Sequence, residues 1–392
     1  LAELIYSCGD FLTALFIVFL VLGFLRLVFM YILMLREKRS ERRRSYPELS
    51  TANAPRVSII VPAYNEEVNI LRTISNLLAQ DYPVFDIIFV DDGSKDNTLK
   101  NVQEKFSDTP AVHILTHPNG GKASALNFGI SHTDADYVVC IDADTQLCKD
   151  AISKLIRHFL SDHSHRIGAV AGNVKVGNVR NMLTYWQNFD RMAYSNINAI
   201  TVVPGAIGAF RREALLHAGG FTTDTLAEDC DLTMRIIEKG YVIENENDAV
   251  ALTEAPERLN QFVKQRVRWS FGVMQTFWKH RKALFNSKYK GFGLWAMPNM
   301  LIFQYIIPTF SPIADLLMLA GLFSGNAAQI AFYYLIFLLV DASVSIVAFC
   351  FEGENLWQLL WIIPQRFFYR WIMYWVLFKS YLRAIKGELQ SW

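Results

Sequence analysis

The sequence predicts an α/β domain with a mostly parallel, doubly wound sheet, joined to α-helical membrane segments. Three observations carry that expectation. Short β-rich runs alternate with helical stripes from about Arg56, a 25-residue apolar run (Phe11 to Leu35) precedes them, and 52% of the 392 residues are hydrophobic although 38 basic and 37 acidic side chains remain. A chain that oily with so much charge reads as membrane segments attached to a water-facing part. The net charge of +1 gives no ground for nucleic acid as a partner. Cys8, Cys140, Cys148, Cys230 and Cys350 show no metal-type pairing and read as reduced, structural thiols.

Phe11 to Leu35 carries a single charge, Arg26, and at helical rise exceeds the ~30 Å hydrocarbon core, so residues 1–35 are expected to supply a transmembrane segment. The run lacks the cleavage site of a removable leader. Next comes "REKRSERRR", whose six basic residues outnumber Glu37 and Glu41 and mark 36–55 as a cytoplasmic linker. The chain opens on Leu1 rather than methionine, which points to a piece of a longer protein.

Residues 56–285 hold the α/β domain. "RVSIIVPAY" (56–64), "DIIFVDD" (86–92), "VHILTHP" (112–118) and "YVVCIDAD" (137–144) read as buried parallel strands. Ile70, Leu71, Ile74, Leu77 and Leu78 mark one face of a helix between the first two, and shorter helices are expected after Asp96 and Lys122. That order is βαβαβαβ, with functional loops at the carboxyl ends of the strands. Residues 286–392 become membrane-like again: Phe292 to Phe323 is interrupted by three prolines, Ile330 to Phe351 by Asp341 alone, and Leu356 to Leu377 suits an interfacial helix entering a membrane segment. Asp315 and Asp341 are costly inside apolar runs and suggest a pore or interhelical pairing, with helix capping near Pro312 the other reading of Asp315.

Three acidic clusters are expected where strands end: Asp91-Asp92 in "VDDGS", Asp142 and Asp144 in "IDADT", and Glu228-Asp229 in "LAEDCDLTMR". Asp-Asp-Gly-Ser alone is an ordinary turn. Two acidic strand ends together suit a hard divalent cation beside phosphates. In the third cluster, Thr225 and Glu228 fit a capping box and Asp231 can pair with Arg235, which leaves Asp229 without a structural task. Lys122, after Gly120-Gly121, reads equally as a solvated lysine or as a phosphate contact at a helix start. In "QRVRW" (265–269), Gln265, Arg268 and Trp269 share a helix face. Arg268 could fork onto a diphosphate and Trp269 stack on a sugar, while the basic stretch 258–281 also suits a membrane surface.

In order, "VPAYNEE" (61–67), "VDDGSKDNT" (91–98), "GGKASALN" (120–127), "DADT" (142–145), "AEDCDLT" (227–233) and "QRVRW" resemble family 2 glycosyltransferases of the membrane-embedded, processive type. Poly-N-acetylglucosamine and chitooligosaccharide synthases are the nearer likeness, hyaluronan and cellulose synthases the more distant. The resemblance implies a GT-A domain, Rossmann-like with a mostly parallel sheet. It implies Tyr64, Glu66 and Asp92 at the uridine with Asp91 beside them, Lys122 at the diphosphate or sugar, and Asp142 facing the nucleotide sugar. Mg²⁺ or Mn²⁺ would sit on Asp144 with Asp142, and Asp229 beside Glu228 would be the general base. Gln265, Arg268 and Trp269 would cap the donor site. "VVPGAIGAFRR" (202–212) would put Gly205 near the acceptor. Ala227 stands where cellulose synthases carry threonine.

The activity so implied is inverting, processive polymerisation of N-acetylglucosamine from UDP-N-acetylglucosamine to a β-linked chain, with export of the polymer. The partners are then the UDP-sugar, the growing polysaccharide, the lipid bilayer and accessory membrane or export subunits. The protein would be a multi-pass protein of the plasma (inner) membrane with a cytoplasmic catalytic domain. A non-processive transferase acting on ceramide or a polyprenyl phosphate, a hyaluronan-type synthase, and a transport subunit with an inactive domain share parts of the pattern.

Overall fold

The computed structural model describes residues 17–29, 31–32, 35, 45–47, 49, 54–178, 200–322 and 362–387, together with 328, 331–332, 335–336, 339, 342–343, 346, 357 and 360. They divide into two compact units: those within Leu1–Arg44 and Pro298–Phe378 form one, and those within Ser45–Arg191, Ala199–Met297 and Lys379–Trp392 the other.

The second unit is built on an eight-stranded sheet among the described residues. Its strands are β1 (Val57–Ala63), β2 (Phe85–Asp91), β3 (Val112–Thr116), β4 (Tyr137–Cys140), β5 (Gln146–Leu147), β6 (Ile167–Val176), β7 (Gly208–Arg211) and β8 (Val242–Thr253), in the order β3-β2-β1-β4-β7-β6-β8-β5. β1 pairs in parallel with β2 and β4, and β2 with β3. This is the expected doubly wound half. β7 then enters antiparallel between β4 and β6, so the sheet as a whole is mixed.

Every residue of β1 is buried. The sheet is covered on both faces, which is why its strands read as continuous apolar runs rather than as alternation. On one face Ile59, Val61 and Phe89 pack with helices α1 (Ile70–Leu78), α2 (Thr98–Phe106) and α4 (Ala151–Ser161). On the other, Ile60, Ile88 and Val90 pack with α3 (Lys122–Ser131), α5 (Arg212–His217) and α6 (Glu228–Glu238).

α7 (Leu259–Lys279) lies against the chain just before α6. A Cβ on Gly272 would come within 2.8 Å of the Leu226 and Ala227 backbone, and Gln275 accepts a hydrogen bond from the Leu226 amide at 3.1 Å. Backbone cannot swing aside as a side-chain tip can. Gly272→Val is therefore expected to cost about 1–3 kcal/mol, read as a lower thermal midpoint.

In the first unit, α8 (Ile307–Leu322) contains Pro312, and α9 (Ile362–Lys386) contributes its residues up to Phe378. Asp315 accepts a hydrogen bond from the Tyr374 hydroxyl at 3.0 Å and lies 3.5 Å from Arg370. It sits within α8 and is paired between helices, which decides against the capping reading. Arg26 rests over the Phe303 ring at 4.3 Å. Among the described residues no helix is long and apolar enough to cross a membrane. Residues 11–16 of the apolar run, most of the basic linker, and Asp341 within 330–351 lie outside the described residues.

Candidate active site

The candidate site lies at the carboxyl ends of the parallel strands. Ala63 of β1 and Asp91 of β2 are in register, so Tyr64 to Glu67 and Asp91-Asp92 emerge side by side. Two loops there are stitched together: the Asn65 amide donates to Ser94 Oγ, and the Glu66 amide to Thr98 Oγ1. Tyr64 stands exposed on this edge.

The two aspartates differ in how their oxygens are engaged. Asp92 has both oxygens engaged, accepting from the Gly120 and Gly121 amides at 2.9 Å each, with His117 Nδ1 at 3.3 Å. It therefore holds the glycine turn that aims Lys122. Asp91 accepts the Ser94 amide through Oδ2, while its Oδ1 is buried without a hydrogen-bond partner. An unmet buried acceptor is costly, and Asp91 is the member of the pair with an oxygen to offer a ligand N–H. His117 was missed by sequence reasoning, because its partner is 25 positions away.

Lys122, at the start of α3, is the hub of the next cluster. Its Nζ lies 2.5 Å from Asp142 and 3.5 Å from Glu228, and a Cβ on Gly205 would lie 2.6 Å from it. The Gly205 amide donates to Asp229 Oδ2 at 3.3 Å, and the Cys230 amide to Oδ1 at 2.7 Å. Asp142, Lys122, Gly205, Glu228 and Asp229, scattered over about a hundred residues of sequence, thus share one cluster. β7 explains the part played by Gly205. Running antiparallel to β4 with Gly208 opposite Cys140, it brings the loop before it to the edge where Asp142 emerges.

Lys122 faces three carboxylates here, Asp142, Glu228 and Asp229. Burial, followed by repulsion from Glu228, pushes the Asp229 carboxyl up to about 6, with Lys122 limiting the rise. Burial alone would lower the Lys122 pKa, but Asp142 and Glu228 outweigh it and raise it. The N-cap of α6 is Ala227, and Thr225 Oγ1 is buried without a hydrogen bond. The expected capping box is therefore absent, because the Glu228 side chain is turned to Lys122.

Asp144 follows the end of β4 by four residues, with Thr145 Oγ1 at 3.4 Å. Burial and then Asp142 push it up to about 6, and burial and then Asp144 push Glu66 up to about 7. Such a cluster of half-buried carboxylates, made of hard oxygens, fits Mg²⁺ or Mn²⁺. Among the described residues no group of three or more His, Cys, Asp or Glu is placed to hold a metal ion. Two carboxylates suffice where a diphosphate and water complete the shell. Asp144 is the freer of the two, since Asp142 is engaged by Lys122.

Gln265, Arg268 and Trp269 lie on α7, within two turns of its contact with the segment before α6. Gln265 Oε1 is buried without a hydrogen bond, while Arg266 is turned inward over Phe262 and Trp269.

Residues 58–218 match the family described as Glycosyl transferase family 2. Over that stretch the chain is similar to a family 2 glycosyltransferase domain. Over 234 residues the chain is 31% identical to a poly-beta-1,6-N-acetyl-D-glucosamine synthase of Staphylococcus aureus, covering 58% of this chain and 56% of that protein. The synthase of the same name from Staphylococcus epidermidis is also 31% identical over 234 residues, with 57% and 56% covered. The chain thus spans little more than half the length of these relatives. The chain also shares its fold with a mannosyltransferase of Pyrobaculum calidifontis, solved with GDP-Man and Mn2+, at a TM-score of 0.58 and 22% identity, covering 89% of this chain and 99% of that one.

Proposed function

We propose that the chain is an inverting, processive glycosyltransferase that polymerises N-acetylglucosamine from UDP-N-acetylglucosamine into a β-linked polysaccharide. The observation that carries this reading is the half-buried Asp229, held by the Gly205 and Cys230 amides beside the Lys122–Asp142 pair. Transfer requires a base on one side of the anomeric carbon and neutralisation of a diphosphate on the other. Asp229 removes the proton from the acceptor hydroxyl. Lys122 and Arg268 balance the leaving diphosphate, Asp91 accepts from the uracil, and Trp269 offers its face to the acceptor sugar. Asp144 and Asp142 would hold Mg²⁺ or Mn²⁺, which when bound adds positive charge to the diphosphate.

The choice of N-acetylglucosamine is supported by the 31% likeness to the staphylococcal synthases. A membrane setting, with the family 2 domain on the cytoplasmic face, is supported by the 11–35 run and its basic sequel. It also suits the apolar side chains that the first unit exposes, among them Phe24, Leu25, Phe310, Leu316, Trp371 and Trp375. Such a surface is costly in water. Passage of the growing chain outward between these helices, with accessory export subunits, follows from the same reading.

A base must be deprotonated to act, so transfer is expected to fall about tenfold per pH unit once the pH drops below the Asp229 value of about 6. Initial rates in buffers of matched ionic strength check this. To test the function itself, the protein in vesicles is given labelled UDP-N-acetylglucosamine with Mg²⁺ or Mn²⁺, and the product is sized and treated with linkage-specific glycosidases. A long, β-glycosidase-sensitive polymer is the expected result. A single sugar on lipid would replace this reading with a lipid glycosyltransferase.

A further inference from the structure

We propose that Asp231 and His280 are positioning residues that lock the helix bearing Asp229 to the helix bearing Gln265, Arg268 and Trp269, and that the lock holds while His280 carries its charge. The inference rests on the reading of Asp229 and "QRVRW" given above. Asp231 follows Asp229 by two positions on α6, roughly 200° around the helix, and so points away from the reacting groups. It is 0% exposed.

Four donors converge on its carboxylate. Oδ2 accepts from Thr222 Oγ1 at 2.8 Å and from Arg235 Nε at 2.7 Å. Oδ1 faces His280 Nε2 at 2.9 Å and Lys279 Nζ at 2.8 Å. Lys279 ends α7 and His280 is its C-cap, so two of the four donors come from the far end of the "QRVRW" helix. The second nitrogen of His280, Nδ1, lies 2.9 Å from Glu238 Oε1 at the end of α6, and Lys279 also reaches Asp224 at 2.8 Å. Three acids (Asp224, Asp231 and Glu238) thus meet three bases (Arg235, Lys279 and His280), and the charges balance only when the imidazole is protonated.

Both imidazole nitrogens face carboxylates, and both can donate only in the imidazolium. Burial opposes that charge, but Asp231 and Glu238 outweigh it and raise the His280 pKa. Loss of the proton leaves one ring nitrogen with a lone pair against a carboxylate, Asp231 or Glu238, which is costly. Gly272 and Gln275 fix the middle of α7 to the segment before α6, and Lys279-His280 fix its end to α6 itself. Loss of the His280 charge leaves Lys279 alone to hold that end, which lets α7 shift on the Gly272 contact. Arg268 and Trp269 then move relative to Asp229.

The test is the pH profile of transfer from UDP-N-acetylglucosamine by the full chain in vesicles, with wild type, Glu238→Gln and His280→Gln compared. Wild type is expected to lose activity on the alkaline side. Glu238→Gln removes one of the two carboxylates that hold the His280 charge, and should move that alkaline limb down by about one pH unit while the acid limb stays. His280→Gln should run at a lower plateau with no alkaline limb and with a raised donor KM. An alkaline limb that stays in place in Glu238→Gln overturns the proposal, and that variant retains His280 should His280→Gln fail to fold. Failure of the base assignment shows elsewhere, in an Asp229→Asn variant that remains active, so the two failures are distinguishable.

Discussion

Asp229→Asn is expected to lower kcat for sugar transfer by about 10²–10⁴-fold, with donor binding and thermal stability retained. Asparagine keeps the shape, and its one carbonyl oxygen can still accept from the Gly205 or the Cys230 amide. What it loses is the lone pair of a carboxylate whose pKa of about 6 sits close to neutral pH, the region where a general base works best. The substitution also removes a half-buried like charge beside Glu228, so a fall in stability is not expected. Calorimetric titration with UDP-sugar and a melting curve, run beside the kinetics, separate loss of chemistry from loss of fold. Substantial transfer by a folded Asp229→Asn would falsify the assignment of the base.

The parallel half of the domain was legible because its signals are local. β1 to β4 are apolar runs ended by turn residues, and α1 repeats its buried positions Ile70, Ile74 and Leu77 at helical spacing. The other half was hidden for physical reasons. β8 reads "VIENENDAVALT", too polar for a buried strand by pattern, because Glu246 is buried against Arg157 and His158. The antiparallel entry of β7 depends on partners some seventy residues distant, which periodicity does not report.

The site shows the same division. Acids that follow strand ends were found as a group, since the ends of parallel strands share one edge. Their individual roles depend on distant partners: Asp92 is engaged by Gly120 and Gly121, and Asp231 by Lys279 and His280. Thr225 and Glu228 matched a capping box by spacing, yet Lys122 from another strand-helix unit draws Glu228 away. A local motif yields where a buried countercharge is available.

Removing that countercharge is the second large effect. Lys122→Met keeps the length of the side chain but leaves Asp142, Glu228 and Asp229 clustered without the cation that lies among them. Loss of one preorganised electrostatic group at the reacting centre is expected to cost about 10²–10³-fold in kcat. A second consequence follows from the same geometry. Lys122 holds the Asp229 value down, so without it that value rises above about 6 and the acid limb of the pH profile moves to higher pH. Arginine should not restore the site, because Asp142 and Glu228 meet one compact Nζ at 2.5 and 3.5 Å, which a planar fork of donors does not reproduce. A kcat that falls with the acid limb unmoved would assign Lys122 to the donor alone, whereas a shifted limb ties one lysine to both the leaving diphosphate and the base.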